Sequence, residues 1–370
     1  MNRRLLSFLL ICILWLPAFP GQNFVTAQIA PGYYAIRFSG KPGNLYSLER
    51  PQEFLSARAV ERRIRLHIPP DSSDLPVTGF YLDSLRNIGL SVVCTSRWFN
   101  LAVVATTDTV LIHKAMQLPF VASVRKAERV SIPQKALRDK WTQESFSEAL
   151  SPLSQSDYGV AYTQIHLHKG DTLHTLGYLG RGIRIAVLDA GFYHADTLPA
   201  FRSLYENHRI LGTRDFVAPG TAVYEDHPHG MQVLSIMAGN LPGEYIGTAP
   251  EASYYLLRTE NTAGEYIVEE YYWTAGAEFA DSAGADIIHA SLGYTVFDDP
   301  AQNHTYNDMN GKTTLVSRAA SMAAKKGMMV VISAGNEGNT SWKYISAPAD
   351  ADSILAVGAI TATGSLASFS

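Results

Sequence analysis

Three residues of this 370-residue chain, Asp189, His229 and Asn336, have the types and surroundings that acid–base chemistry needs. Asp189 closes the run Ile183-Arg184-Ile185-Ala186-Val187-Leu188, which is too apolar to host an unpaired charge. A carboxylate there needs a partner or takes up a proton. Taken alone, Asp189 before Ala190-Gly191 reads more simply as a turn former. His229 precedes Gly230 and an apolar stretch through Met237 and Ala238, the pattern of a histidine at the N-terminal edge of a buried helix. Such a position fixes the imidazole for general-base work. The positive helix end disfavours the imidazolium, and a nearby carboxylate would restore its basicity. Lone histidines at helix starts are more often structural. His227-Pro228-His229 also has the spacing of a zinc-binding pair, although an exposed loop is the preferred reading of His227. Asn336 sits in Ser333-Ala334-Gly335-Asn336-Glu337-Gly338. Its glycines permit close backbone approach, and its amide could donate to a developing oxyanion. An ordinary Asn in a glycine-rich turn is the competing reading.

The elements that must position these residues read as α/β. Strands are expected at residues 183–189, 252–257, 286–291, 328–333 and 354–357, with helices at 230–239, 268–283 and 313–327. The alternation predicts a doubly wound parallel sheet with its crevice at the carboxyl ends of the strands. Asp189, Ser291 and Asn336 fall at or just after such ends. Residues 31–130 read as a separate small α+β domain of ferredoxin-like type. Strands are expected at 33–38, 90–95, 99–105 and 121–130, and helices at 51–67, 79–87 and 109–117. In the first helix Phe54, Ala57, Val60 and Ile64 recur at helical spacing.

Composition narrows the classes. The net charge is −4 with no basic block, which argues against a nucleic-acid partner. Arg3 and Arg4, the apolar stretch 5–19 and Val25-Thr26-Ala27 read as a signal peptide over residues 1–27. Its core is too short, with Pro17 and Pro20 beside it, for a stable membrane anchor. Export to the periplasm or outside the cell is therefore expected. Of two cysteines, Cys12 would leave with the signal and Cys94 would remain unpaired. Residues 131–157 are rich in Ser, Gln and Glu and read as an exposed linker.

The joint order of these features resembles the subtilisin-like serine proteases (subtilases). The resemblance rests on Ala186-Val187-Leu188-Asp189-Ala190-Gly191, His229-Gly230-Met231 with Val233 and Ala238-Gly239, Gly247-Thr248-Ala249-Pro250, Ser291-Leu292-Gly293, Ser333-Ala334-Gly335-Asn336 and Ser346-Ala347-Pro348-Ala349. It covers residues 158–370. It implies a serine-type endopeptidase in which Asp189 orients His229, His229 shuttles the proton and Asn336 helps hold the oxyanion. The backbone of Ser291, Leu292, Gly293 and Gly335 would bind an extended polypeptide substrate. Residues 28–130 would be a propeptide acting as an intramolecular inhibitor, joined by the 131–157 linker to a catalytic domain at 158–370. No cofactor is implied.

Two departures accompany the resemblance. Ala190 stands where the family usually carries a small hydroxyl residue. No Gly-Thr-Ser nucleophile motif occurs, and family spacing would put one beyond Ser370. The expectation is an incomplete catalytic domain, inactive as a 370-residue chain. An inactive remnant with peptide-binding capacity is the rival reading, and a metallohydrolase using His227 and His229 is weaker for want of a third ligand. Gly177-Tyr178-Leu179-Gly180-Arg181-Gly182 precedes its strand, so a dinucleotide fingerprint fails. Glu260, Glu269 and Glu270 are expected on a solvated face rather than selecting basic side chains. Asp298, Asp299 and Asn303 have a non-diagnostic spacing for structural calcium, and a polar loop is expected there.

Overall fold

The computed structural model describes residues 32–127 and 157–370. The expected signal segment and nearly all of the expected linker lie outside them. The first unit contains β1 (Gly32–Phe38), α1 (Ala57–Arg65), α2 (Gly79–Asn87), β2 (Ser91–Ser96), β3 (Leu101–Thr106), α3 (Thr109–Met116) and β4 (Val121–Lys126). Its antiparallel sheet has the order β2-β3-β1-β4, the split βαβ arrangement of ferredoxin-like folds. Alternation along the strands gives the sheet two apolar faces. Ile36, Phe38, Ala102 and Val104 pack with Tyr81, Leu85 and Ile112 of the unit's own helices. Ala35, Leu101 and Val103 face the other way and join the core of the larger unit.

The larger unit opens with α4 (Tyr162–Leu167) and α5 (Gly170–Thr175). Next come β5 (Arg184–Asp189), α6 (Arg202–Glu206), β6 (Ile210–Asp215), α7 (His229–Ala238) and the β7–β8 hairpin (Asn240–Leu241, Tyr245–Ile246). It continues with β9 (Ser253–Arg258), α8 (Val268–Ala283), β10 (Ile287–Ala290), α9 (Leu315–Lys325), β11 (Met329–Ser333) and β12 (Leu355–Val357). The six strands form a parallel sheet in the order β12-β11-β10-β5-β9-β6. One face, with Ala186 and Leu188, packs on α8 and α9. The other, with Ile185 and Val187, packs on α7. The sheet is therefore doubly wound, as expected. Strand β6 was not anticipated, because Ile210-Leu211-Gly212-Thr213-Arg214-Asp215 is a half-exposed edge without an apolar run.

The region expected to be one helix at 51–67 is two elements, a short 3-10 turn (Pro51–Glu53) and α1, which begins where Ser56 caps Ala59. The apolar residues at helical spacing are not the ones α1 buries. Ala59, Arg62 and Arg63 are buried, whereas Ile64 is 71% exposed. The reason lies on α8. The fully buried Asp281 accepts from Arg62, from Arg63 at 2.9 Å and from Arg97 at 2.6 Å, all three in the first unit. Glu278, one turn earlier, accepts from Ser96 Oγ and from the backbone N–H groups of Arg97 (2.8 Å) and Trp98 (3.0 Å). Lys326, just after α9, reaches Asp74 at 2.8 Å. The small domain thus docks on α8 and α9 through apolar sheet contacts bordered by buried charges.

Removing one partner from a buried charge cluster strands the others, at a cost of about 3–5 kcal/mol. Asp281→Ala is therefore expected to lower the urea unfolding free energy by about that amount. Asp74 gives a pH signature at the same interface. Burial pushes its carboxyl up, but hydrogen bonds from Arg63 and Lys326 outweigh that and hold it at about 2. Its contribution is present above the ordinary value of 3.8 and is lost as pH falls through about 2. The stability difference between the native chain and Asp74→Asn should accordingly close over that acid window.

Candidate active site

Strand β5 ends at Asp189, which is fully buried. Its Oδ1 accepts from the Ala190 N–H at 2.7 Å and lies 2.7 Å from Nδ1 of His229, the first residue of α7. The expected partnership of these two residues is thus formed. Two glycines make it sterically feasible. A Cβ on Gly230 would collide with the Gly191 carbonyl and lie 2.8 Å from Asp189 Cβ, so only glycine lets α7 start this close to the strand. Gly191 has φ +150°, and a Cβ there would lie 2.7 Å from the His227 backbone nitrogen. His227 accepts the His229 N–H through Nδ1 at 3.2 Å, which ties that ring nitrogen to the turn before α7.

Sequence reasoning missed Arg258, the register partner of Asp189 at the end of β9. Its buried guanidinium donates to the Ala190 carbonyl at 3.1 Å and pairs with Asp215 at 2.8 Å and Asp226 at 3.2 Å. One side chain therefore joins the ends of β5, β6 and β9 to the loop leading into His229. Burial raises the Asp226 carboxyl above its ordinary range, with Arg258 opposing. The available signal was a cation ending the otherwise apolar Tyr254-Tyr255-Leu256-Leu257.

Strands β11, β10 and β5 are neighbours, so Asn336, Ser291 and Asp189 lie along one carboxyl edge. Asn336 is exposed, and Gly335 before it adopts φ +103°, a conformation that favours glycine. Leu292 is buried in the core, so in Ser291-Leu292-Gly293 its side chain serves packing. Tyr294 donates its backbone N–H to Ala347 at 2.7 Å, stitching the segment to residues 346–348. Ser346 Oγ is buried there, and a Cβ on Gly293 or Gly335 would run into it.

The expected solvated face of Glu260, Glu269 and Glu270 is corrected, because all three are buried. Glu260 accepts from the Tyr294 hydroxyl, and Glu269 from the N–H groups of Asn261 and Tyr266, both at 2.7 Å. Glu270 meets His304 at 2.5 Å and caps α9 through Leu315 (3.0 Å) and Val316 (3.1 Å). Each carboxylate thus answers local donors that sequence spacing does not reveal. Asp299 caps a short turn at Ala301, and Asn303 accepts from Phe297.

Residues 180–370, just over half of the chain, match the family described as the subtilase family (peptidase S8). The chain belongs to the subtilases. Residues 33–144 match the peptidase S8 propeptide domain of Bacteroidota. Subtilisin DY of Bacillus licheniformis is 29% identical over 209 residues, covering 56% of this chain and 66% of that relative. Subtilisin E of Bacillus subtilis is 31% identical over 206 residues, covering 55% and 47%. This subtilase chain therefore spans about half to two thirds of those relatives' length. In fold it is similar to the epidermin leader peptide processing serine protease of Staphylococcus aureus. That likeness has a TM-score of 0.53 at 14% identity, covering 92% of this chain and 72% of that one. Gly230→Ala should destabilise this subtilase by about 1–3 kcal/mol in denaturant titration, the usual penalty for forcing a methyl into a filled site.

Proposed function

We propose that this subtilase is the propeptide and acid–base part of an exported serine endopeptidase. The carrying observation is the His229 Nδ1 to buried Asp189 Oδ1 contact of 2.7 Å at the carboxyl edge of a parallel sheet. In this reading Asp189 fixes the tautomer and orientation of His229, and Nε2 takes the proton from a serine and returns it to the leaving amine. Asn336 donates to the tetrahedral oxyanion. The backbone of Ser291, Leu292, Gly293 and Gly335 binds an extended polypeptide, and the small domain on α8 and α9 is the intramolecular inhibitor. The chemistry needs no cofactor.

The nucleophile is supplied by residues outside these 370. Support comes from the uncovered side of the sheet, where Met329, Leu355 and Val357 are each about half exposed. The reading frame extended beyond Ser370 should yield a peptidase that a serine-directed reagent inactivates, and the 370-residue chain should show no such activity. In the extended enzyme Asp189→Asn should lower kcat by about 10⁴-fold, and Asn336→Leu by about 10²–10³-fold. Peptide hydrolysis lost to a chelator and indifferent to the serine reagent would overturn the reading.

A further inference from the structure

His289 lies on β10, directly beside β5, and its register partner is Val187, two residues before Asp189. Side chains alternate along a strand, so Val187 and Asp189 point to one face, and the register places His289 on that face too. Val187 packs with Leu234, Met237 and Ala238 of α7, and Ile287 packs against the same cluster, so this is the face on which His229 stands. Asp189 Oδ1 already serves two donors, Ala190 N–H and His229, while its Oδ2 is buried with no hydrogen-bond partner among the described residues. The Ala190 methyl cannot supply one. His289 Nδ1 is likewise buried and unpartnered. An unmet ring nitrogen and an unmet carboxylate oxygen on adjacent strands each carry a desolvation cost that meeting would relieve, provided the nitrogen carries the ring proton.

We propose that His289 is a positioning residue for the acid–base pair, a side-chain adjustment bringing its Nδ1–H to Asp189 Oδ2 and holding the carboxylate so that Oδ1 stays aimed at His229. The inference rests on reading Asp189 and His229 as that pair. Among the described residues, the charged and titratable groups acting on His289 are these same two. Burial pushes the His289 pKa down, with Asp189 opposing and His229 adding, so the neutral ring with one proton is favoured.

The test uses ¹⁵N-histidine NMR of the 370-residue chain, so it does not depend on hydrolysis and its outcome is separate from that of the proposed activity. The expected result is a neutral His289 protonated at Nδ1. A ring protonated only at Nε2 would overturn the proposal without any variant. In a second arm, His289→Phe should speed solvent exchange of the His229 Nδ1 proton by about tenfold or more, an equilibrium effect near 1.4 kcal/mol. His289→Asn, which keeps a side-chain N–H donor, should restore slow exchange. Equal behaviour of Phe and Asn would reduce His289 to packing and sink the idea.

Discussion

The carboxylate of Asp189 sits at the end of a strand whose other side chains are almost wholly shut from water, so solvent cannot satisfy it and the fold must. That requirement shapes the carboxyl edge of the large sheet. Helix α7 has to begin within hydrogen-bonding reach of the strand end, which only Gly230 and Gly191 permit sterically. The loop before α7 has to be held still, and Arg258 does this through Ala190, Asp215 and Asp226. Thr259 adds a backbone bond to the Asp189 carbonyl at 2.9 Å. The imidazole of His229 is then oriented by a rigid frame rather than by its own rotamer preference.

A second buried carboxylate, Asp281, organises the contact between the two units. Buried ion pairs contribute little net stability, because desolvation offsets most of the Coulombic gain. Their strength is in selecting one arrangement. A misdocked small domain would leave Asp281, or one of Arg62, Arg63 and Arg97, charged and unpaired. The apolar face of Ala35, Leu101 and Val103 gives non-directional attraction to the α8–α9 layer, and the charges set the register. Helices α8 and α9 are consequently covered on both sides, by the large sheet and by the small one. That explains why Glu278 and Asp281 of α8 are buried.

The sequence by itself determined the parallel sheet, the ferredoxin-like order of the first unit and the candidate pair Asp189 and His229. These follow from local and periodic signals: an apolar run ending in Asp, a His-Gly before a buried helix, and β-branched strands between turn residues. They survive because strand burial and helix entry depend mainly on neighbours in the chain. Tertiary structure decided what depended on distant partners. The buried face of α1 was decided by Asp281, more than 200 residues away, which offers charge to Arg62 and Arg63. Arg258 became part of the site's frame because parallel register brings the end of β9 beside Asp189. Glu260, Glu269 and Glu270 left the solvated face once loops and α9 presented donors to them. Hydrophobic periodicity carries no information about where an opposite charge or an N–H group will stand, so buried polar contacts had to await the fold.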